Sequence, residues 1–180
     1  MKALVVYYSK SGNNAYLAQK ISSLINADIE RLTPLINVFP IVLFFSMLKS
    51  ITGIRKLTND ITKYDKVIMC GPIWAGYLCS VLLGFVKKYN TSIQKLYFAT
   101  SCGSDETQKD SKFGYGRVFK QVQDAAGEKC VHCEAFPISL ALPQEKRNDQ
   151  NAIMKTRLSD ENFTGELSLR LERFVNTVNK

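Results

Sequence analysis

Residues 9–14, Ser9-Lys10-Ser11-Gly12-Asn13-Asn14, bring together two hydroxyls, two amides, one ammonium group and one glycine. That set suits the binding of a phosphate-sized anion. A helical pattern follows it, with apolar residues at Leu17, Ile21, Leu24 and Ile25. The first backbone N–H groups of such a helix have no partner within it, and the helix dipole favours negative charge at that end. The hydroxyls of Ser9 and Ser11 and the side chains of Asn13 and Asn14 add donors. The same residue types make ordinary helix caps, but four of them exceed what one cap needs. The turn has neither the Gly-Lys-Ser/Thr ending of a triphosphate loop nor the G-x-G-x-x-G of a dinucleotide fold. The expected anion is therefore a terminal monophosphate.

Two further loops are distinctive. Gly71-Pro72-Ile73-Trp74-Ala75-Gly76-Tyr77 carries the only tryptophan, set between proline and glycine rather than along a strand. An indole placed there offers a flat π-surface for stacking. The other loop, Ser101-Cys102-Gly103-Ser104-Asp105, is small and polar.

The elements that must position these loops follow from the apolar runs. Ala3 to Tyr8, Lys66 to Cys70 and Leu96 to Thr100 read as strands buried on both faces. Ala27 to Leu32 alternates as an edge strand, and Cys130 to Leu142 contains the last strand, ending near Pro137. Helical patterns separate them: Leu78 to Tyr89 with Ser80 as N-cap, Val118 to Ala126, and Phe163 to Val178. The apolar stretch Val38 to Leu48 is too short to span a bilayer and reads as a helix starting near Pro40 that covers the sheet. The β-α alternation implies a doubly wound, three-layer α/β/α fold. Right-handed crossovers leave few ways to wind its five parallel strands, in one domain over residues 1–180. Ligands of such sheets sit at the carboxyl ends of the strands, where the strand order switches. The three distinctive loops converge there.

Totals bound the alternatives. The chain has 180 residues, 46% hydrophobic and 22% charged, as in an ordinary globular domain. Its net charge of +8 resides wholly in residues 1–100, and residues 101–180 are neutral. A basic face attracts anionic ligands or acidic proteins. Clustered Lys/Arg with interleaved aromatics is lacking, so no nucleic acid is expected. The first strand begins next to Met1, and five scattered cysteines suit reduced thiols, so a cytoplasmic protein without a transmembrane segment is expected. Cys130-Val131-His132-Cys133 has C-x-x-C spacing, but strand alternation puts the two thiols on opposite faces. No metal site is expected.

Tyr7 to Asn14, followed some sixty residues later by Gly71-Pro72-Ile73-Trp74-Ala75-Gly76, resembles the flavodoxin family over nearly the whole chain. The resemblance implies the strand order 2-1-3-4-5 and non-covalent FMN, its phosphate on Ser9, Lys10, Ser11, Gly12, Asn13 and Asn14. The second loop, Pro72, Ile73, Trp74, Ala75 and Gly76, would flank the ring, with Trp74 stacked on it. Ser101, Cys102, Gly103 and Ser104 would give backbone contacts to the pyrimidine side, and Gly76 and Gly103 would let backbone approach the ring edge. Departures are Asn14 where the family usually has Thr, Cys79-Ser80 where a proline is usual, and the basic charge. One positive charge about 10 Å from an anionic reduced flavin stabilises it by about 0.4 kcal/mol even at water's dielectric, so a less negative potential than in acidic relatives is expected.

The leading function is electron transfer through FMN, with acidic redox proteins as partners. The alternatives are an FMN-dependent NAD(P)H/quinone-type reductase and a flavodoxin-fold interaction protein without flavin. A dimer through residues 38–57 fits the apolar stretch.

Overall fold

The computed structural model describes residues 2–180, Met1 lying outside the described residues. The elements run β1 (Ala3–Tyr7), α1 (Asn13–Ile25), β2 (Asp28–Arg31), α2 (Phe39–Met47), β3 (Lys66–Cys70), β4 (Ile73–Trp74), β5 (Tyr77–Leu78), α3 (Ser80–Tyr89), β6 (Lys95–Cys102), α4 (Tyr115–Ala126), β7 (Cys130–Pro137), α5 (Gln150–Lys155) and α6 (Glu166–Asn179). Five strands form one sheet in the order β2-β1-β3-β6-β7, every neighbouring pair parallel. This is the expected 2-1-3-4-5 winding, with the β4–β5 hairpin added inside the second loop. The order reverses between β1 and β3.

Strand alternation sends successive side chains of the central strands to opposite faces. Leu4, Val6, Met69 and Phe98 pack with α3 and α4 through Leu82, Phe85, Val118 and Val122. Val5, Ile68 and Tyr97 pack with α1 and α6 through Leu17, Ile21, Leu171 and Phe174. Each fully buried large apolar side chain contributes about 1.5–3 kcal/mol, so the two layers fix the carboxyl ends of β1, β3 and β6 on a rigid frame.

The residues 33–55 depart from the expectation. Pro34 and Ile54 pair as an antiparallel bridge that closes the excursion at its base. The helix starts at the proline as expected, but α2 packs chiefly on α3 and β5 instead of covering the sheet. The sheet face is already filled by α3 and α4, so α2 buries only Val42 and Ser46. A buried hydroxyl network anchors it: Ser80 N–H donates to Ser46 Oγ at 2.8 Å, and Ser80 Oγ donates to the Val42 carbonyl at 3.0 Å. Ser80 is therefore not the N-cap of α3, a position held by Cys79. Phe44 and Leu48 remain 58% and 59% exposed, with Leu35, Ile36, Val38 and Met47 beside them.

A second correction concerns β7. Leu96 is opposite Cys130 while Tyr97 is opposite His132, so Val131 is an extra residue in a β-bulge. The bulge cancels the alternation. Cys130 and Cys133 both pack against the α4 side, their sulfurs 3.6 Å apart, while the His132 ring lies 5.9 Å from Phe174 on the α6 side.

Candidate functional site

The carboxyl ends of β1, β3 and β6 bring the three loops together as expected. In the first, Gly12 takes a left-handed φ of +97° and directs the chain into α1, whose first turn presents the backbone N–H groups of Asn13 and Asn14. Ser9 folds back, its Oγ accepting the Gly12 N–H at 3.1 Å. Lys10, Ser11 and Gly12 are exposed at the rim, and the Lys10 ammonium stands 5.2 Å from the centroid of the Phe39 ring.

The two asparagines are not side-chain donors for an anion. Both are buried, and the structure gives their amides to backbone partners. Asn13 donates to the Thr156 carbonyl at 3.1 Å and accepts the Leu158 N–H at 3.0 Å. Asn14 accepts the Ser101 N–H at 2.8 Å and donates to the Ser101 carbonyl at 3.2 Å, so it joins the first loop to the third. What residues 13 and 14 offer a ligand is backbone N–H.

The second loop is a hairpin in which Ile73 pairs with Leu78 and Trp74 with Tyr77. Ala75 and Gly76 have φ of +51° and +76°, the left-handed pair that a two-residue hairpin turn requires. Gly76 differs from the expectation. It is buried, and a Cβ there would lie 2.3 Å from the Lys112 carbonyl, so its bareness admits the protein's own backbone rather than a ligand. Pro72 is buried, whereas Ile73 and Trp74 are half-buried and Ala75 exposed. Trp74 sits in an aromatic group. The Phe39 ring is edge-on to it at 5.1 Å, and the Tyr8 ring is edge-on at 6.2 Å.

In the third loop Asn14 takes the Ser101 N–H and shares the Ser101 carbonyl with the Thr100 hydroxyl at 3.4 Å, so Ser101 has no free backbone N–H for a ligand. Cys102 is buried, its sulfur 3.4 Å from the Ser104 carbonyl, and burial pushes its thiol up to about 12. Gly103 is exposed, with Ile153 the nearest side chain at 3.6 Å from where a Cβ would stand. Ser101 Oγ and Ser104 Oγ are buried without a hydrogen-bond partner among the described residues. Buried hydroxyls without partners are uncommon in native proteins.

Sequence reasoning missed a fourth wall. Residues 150–163 return from β7 to the start of α1, where Asn13 holds Thr156 and Leu158, Ile153 flanks Gly103, and Tyr16 donates to Asp160 at 2.8 Å. Arg157, between the two residues bound by Asn13, turns its guanidinium back onto the carbonyls of Met154, Lys155 and Thr156, at 3.0, 3.2 and 3.0 Å. A polar asparagine pair at a helix start was the only trace of this tie.

The loop after β6 is fastened by Arg170, whose guanidinium meets Glu106 at 2.5 Å and Glu134 at 3.2 Å. Hydrogen bonds from Tyr115 and then Arg170 hold the Glu106 carboxyl below its ordinary value of 4.5. A carboxylate depressed in the folded state adds stability that is full above its unfolded pKa and is lost as pH falls through the folded one. Arg170→Met is expected to lower stability by about 1–2 kcal/mol at neutral pH, discounted for the exposed Glu106. Urea unfolding across the acid range should show the gap to wild type narrowing below that ordinary value. A gap independent of pH would mean that Arg170 acts by packing alone.

No family model matches this sequence, and no curated protein matches it. Solved structures do. A flavoprotein from Lactobacillus acidophilus NCFM, in complex with FMN, matches at 16% identity with a TM-score of 0.63, over 74% of this chain and 92% of that one. The flavodoxin of Streptococcus pneumoniae TIGR4 matches at 12% identity and a TM-score of 0.54, over 99% of this chain and 98% of that one. An azoreductase from Bacillus anthracis str. Sterne matches at 13% identity and a TM-score of 0.53, over 99% of both chains. With its strand order and its three convergent loops, the chain has the flavodoxin-like fold.

Proposed function

We propose that the protein, as one domain over residues 1–180, binds FMN non-covalently at the carboxyl ends of β1, β3 and β6 and transfers electrons through it. The observation that carries this reading is the convergence at one edge of three features: the open start of α1, the half-buried Trp74, and the unpartnered hydroxyls of Ser101 and Ser104. The residues fit the group. The backbone N–H groups of Asn13 and Asn14, with the hydroxyls of Ser9 and Ser11, would hold the phosphate, and Lys10 would balance its charge. Trp74, with Pro72, Ile73 and Ala75, would cover one side of the ring. Gly103 and Ser104 would meet its polar edge. Bound FMN supplies one- and two-electron redox chemistry; the chain orients it, excludes water and tunes its potential.

The test is a titration of purified protein with FMN, followed by flavin absorbance and fluorescence. Saturable binding of one FMN per chain is expected. A preparation that takes up none favours the interaction-protein reading. A cleft of about 230 Å³ beside the third loop, lined by Glu106, Thr107, Pro137, Leu140 and Arg170 among others, gives the reductase reading a place for a small substrate. Steady-state NAD(P)H oxidation by the FMN-loaded protein separates a reductase from a carrier that needs a protein partner. The basic first half favours acidic redox partners.

We also propose residues 38–57 as an interface between copies of this chain. The exposed apolar side chains of α2 support it, since a monomer rarely leaves so many large apolar side chains of one helix uncovered. Sedimentation equilibrium should show a dimer that Phe44→Asp dissociates; a monomeric wild type removes the proposal.

A further inference from the structure

Outside the site described above, the sharpest chemical feature is the thiol pair on β7. The bulge at Val131 places Cys130 and Cys133 on one face of the strand with their sulfurs 3.6 Å apart. A disulfide needs about 2.05 Å between sulfurs, so closure takes a contraction of about 1.5 Å, within the reach of small side-chain rotations. Both residues are half-buried, and β7 is the outermost strand of the sheet. A small reagent can therefore approach the pair from the edge. Among the described residues no group of three or more His, Cys, Asp or Glu is arranged to hold a metal ion.

We infer that Cys130 and Cys133 form a redox-active dithiol, a second two-electron centre that closes to a disulfide by exchange with low-molecular-weight disulfides. The inference does not rest on FMN. Cys130 is the first residue of β7 and so lies at the amino end of the sheet, about 20 Å along the strand from the carboxyl edge.

The pair is asymmetric in a way that assigns roles. The hydrogen bond between the two sulfurs, in which either can donate, and then the His132 field lower the Cys130 pKa despite partial burial. The same hydrogen bond and burial raise Cys133. With Cys133 as the donor, Cys130 is the attacking thiolate and Cys133 the resolving thiol. In the first step the Cys130 sulfur bonds to one sulfur of the incoming disulfide, whose other sulfur leaves as a thiolate. In the second, Cys133 gives up its proton and attacks the Cys130 sulfur, and the second thiolate leaves. The protein loses two hydrogens and two electrons, and one small disulfide becomes two thiols. The remaining cysteines are outside this chemistry. Cys70, Cys79 and Cys102 are buried, and burial pushes all three thiols up, Cys79 and Cys102 to about 12.

The experiment incubates the protein with glutathione disulfide, blocks remaining thiols by alkylation, and weighs the tryptic peptide spanning residues 130–146, which holds both cysteines and no other. Wild type should give this peptide two hydrogens lighter, unalkylated and without glutathione, and a reductant should reverse it. Cys133→Ser should trap glutathione on Cys130, and Cys130→Ser should take up at least tenfold less on Cys133. Alkylation of Cys70, Cys79 and Cys102 only after denaturation shows that each protein was folded. A wild-type peptide that stays fully alkylated, or that ends as a stable glutathione adduct, overturns the inference. The outcome should be the same with and without FMN, so its failure is separable from failure of the flavin reading.

Discussion

Asn14→Ala is expected to lower the stability of the fold by about 2–4 kcal/mol. The Asn14 amide satisfies both backbone groups of Ser101, at 2.8 Å and 3.2 Å, and Asn14 and Ser101 are both buried. Truncation leaves the Ser101 N–H without a partner away from water and its carbonyl with only the Thr100 hydroxyl at 3.4 Å, and each bond lost in this way costs about 1–3 kcal/mol. Two variants separate this bond pair from simple loss of volume. Asn14→Asp keeps the acceptor for the Ser101 N–H but sets a carboxylate oxygen against the Ser101 carbonyl, so it should be at least as damaging as alanine. Asn14→Thr, which restores the residue usual in the flavodoxin family, is too short to reach both groups and should recover less than half of the loss. Urea unfolding measures all three. If alanine is tolerated within about 0.5 kcal/mol, the Asn14–Ser101 tie does not organise the loops.

This tie also shows where sequence reading stops. The sheet was legible because Leu4 to Val6, Val67 to Met69 and Leu96 to Ala99 are continuous apolar runs, and burial on both faces leaves such segments one register. The three loops were legible because Gly12, Trp74 and Gly103 stand at the ends of those runs. Partners were not legible. Asn13 and Asn14 have the composition of anion donors, yet their amides bond segments 143 to 145 and 87 residues away, which no local pattern encodes. Gly76 has the composition of a ligand contact, yet its neighbour is the Lys112 carbonyl. The bulge at Val131 has no signal in its residue types, and a one-residue insertion was enough to reverse the reading of the Cys130–Cys133 pair. Even composition misled at α2, whose apolar residues were read as core. Most of them face outward, because α3 and α4 already occupy the sheet.

Trp74→Ala is expected to weaken FMN binding by about 1–3 kcal/mol, a loss of roughly 5- to 150-fold in affinity, if the indole covers the ring. The hairpin gives the reason for a value toward the upper end. Trp74 is held by the left-handed Ala75–Gly76 turn and by the Phe39 and Tyr8 rings edge-on to it, so little side-chain freedom remains to be lost on binding. Phe39→Ala should then weaken binding by a smaller factor, through loss of order at Trp74 rather than loss of a ring contact. The double variant should cost less than the sum of the two single changes, because Phe39 has nothing to hold once Trp74 is gone. Trp74→Phe, which keeps a smaller π-surface, should fall between wild type and alanine. Quenching of the single tryptophan by added FMN gives a second readout in the wild type, and the affinities themselves come from titration against flavin fluorescence. Unchanged affinity in Trp74→Ala would take the ring away from the second loop and leave the start of α1 as an anion site of some other kind.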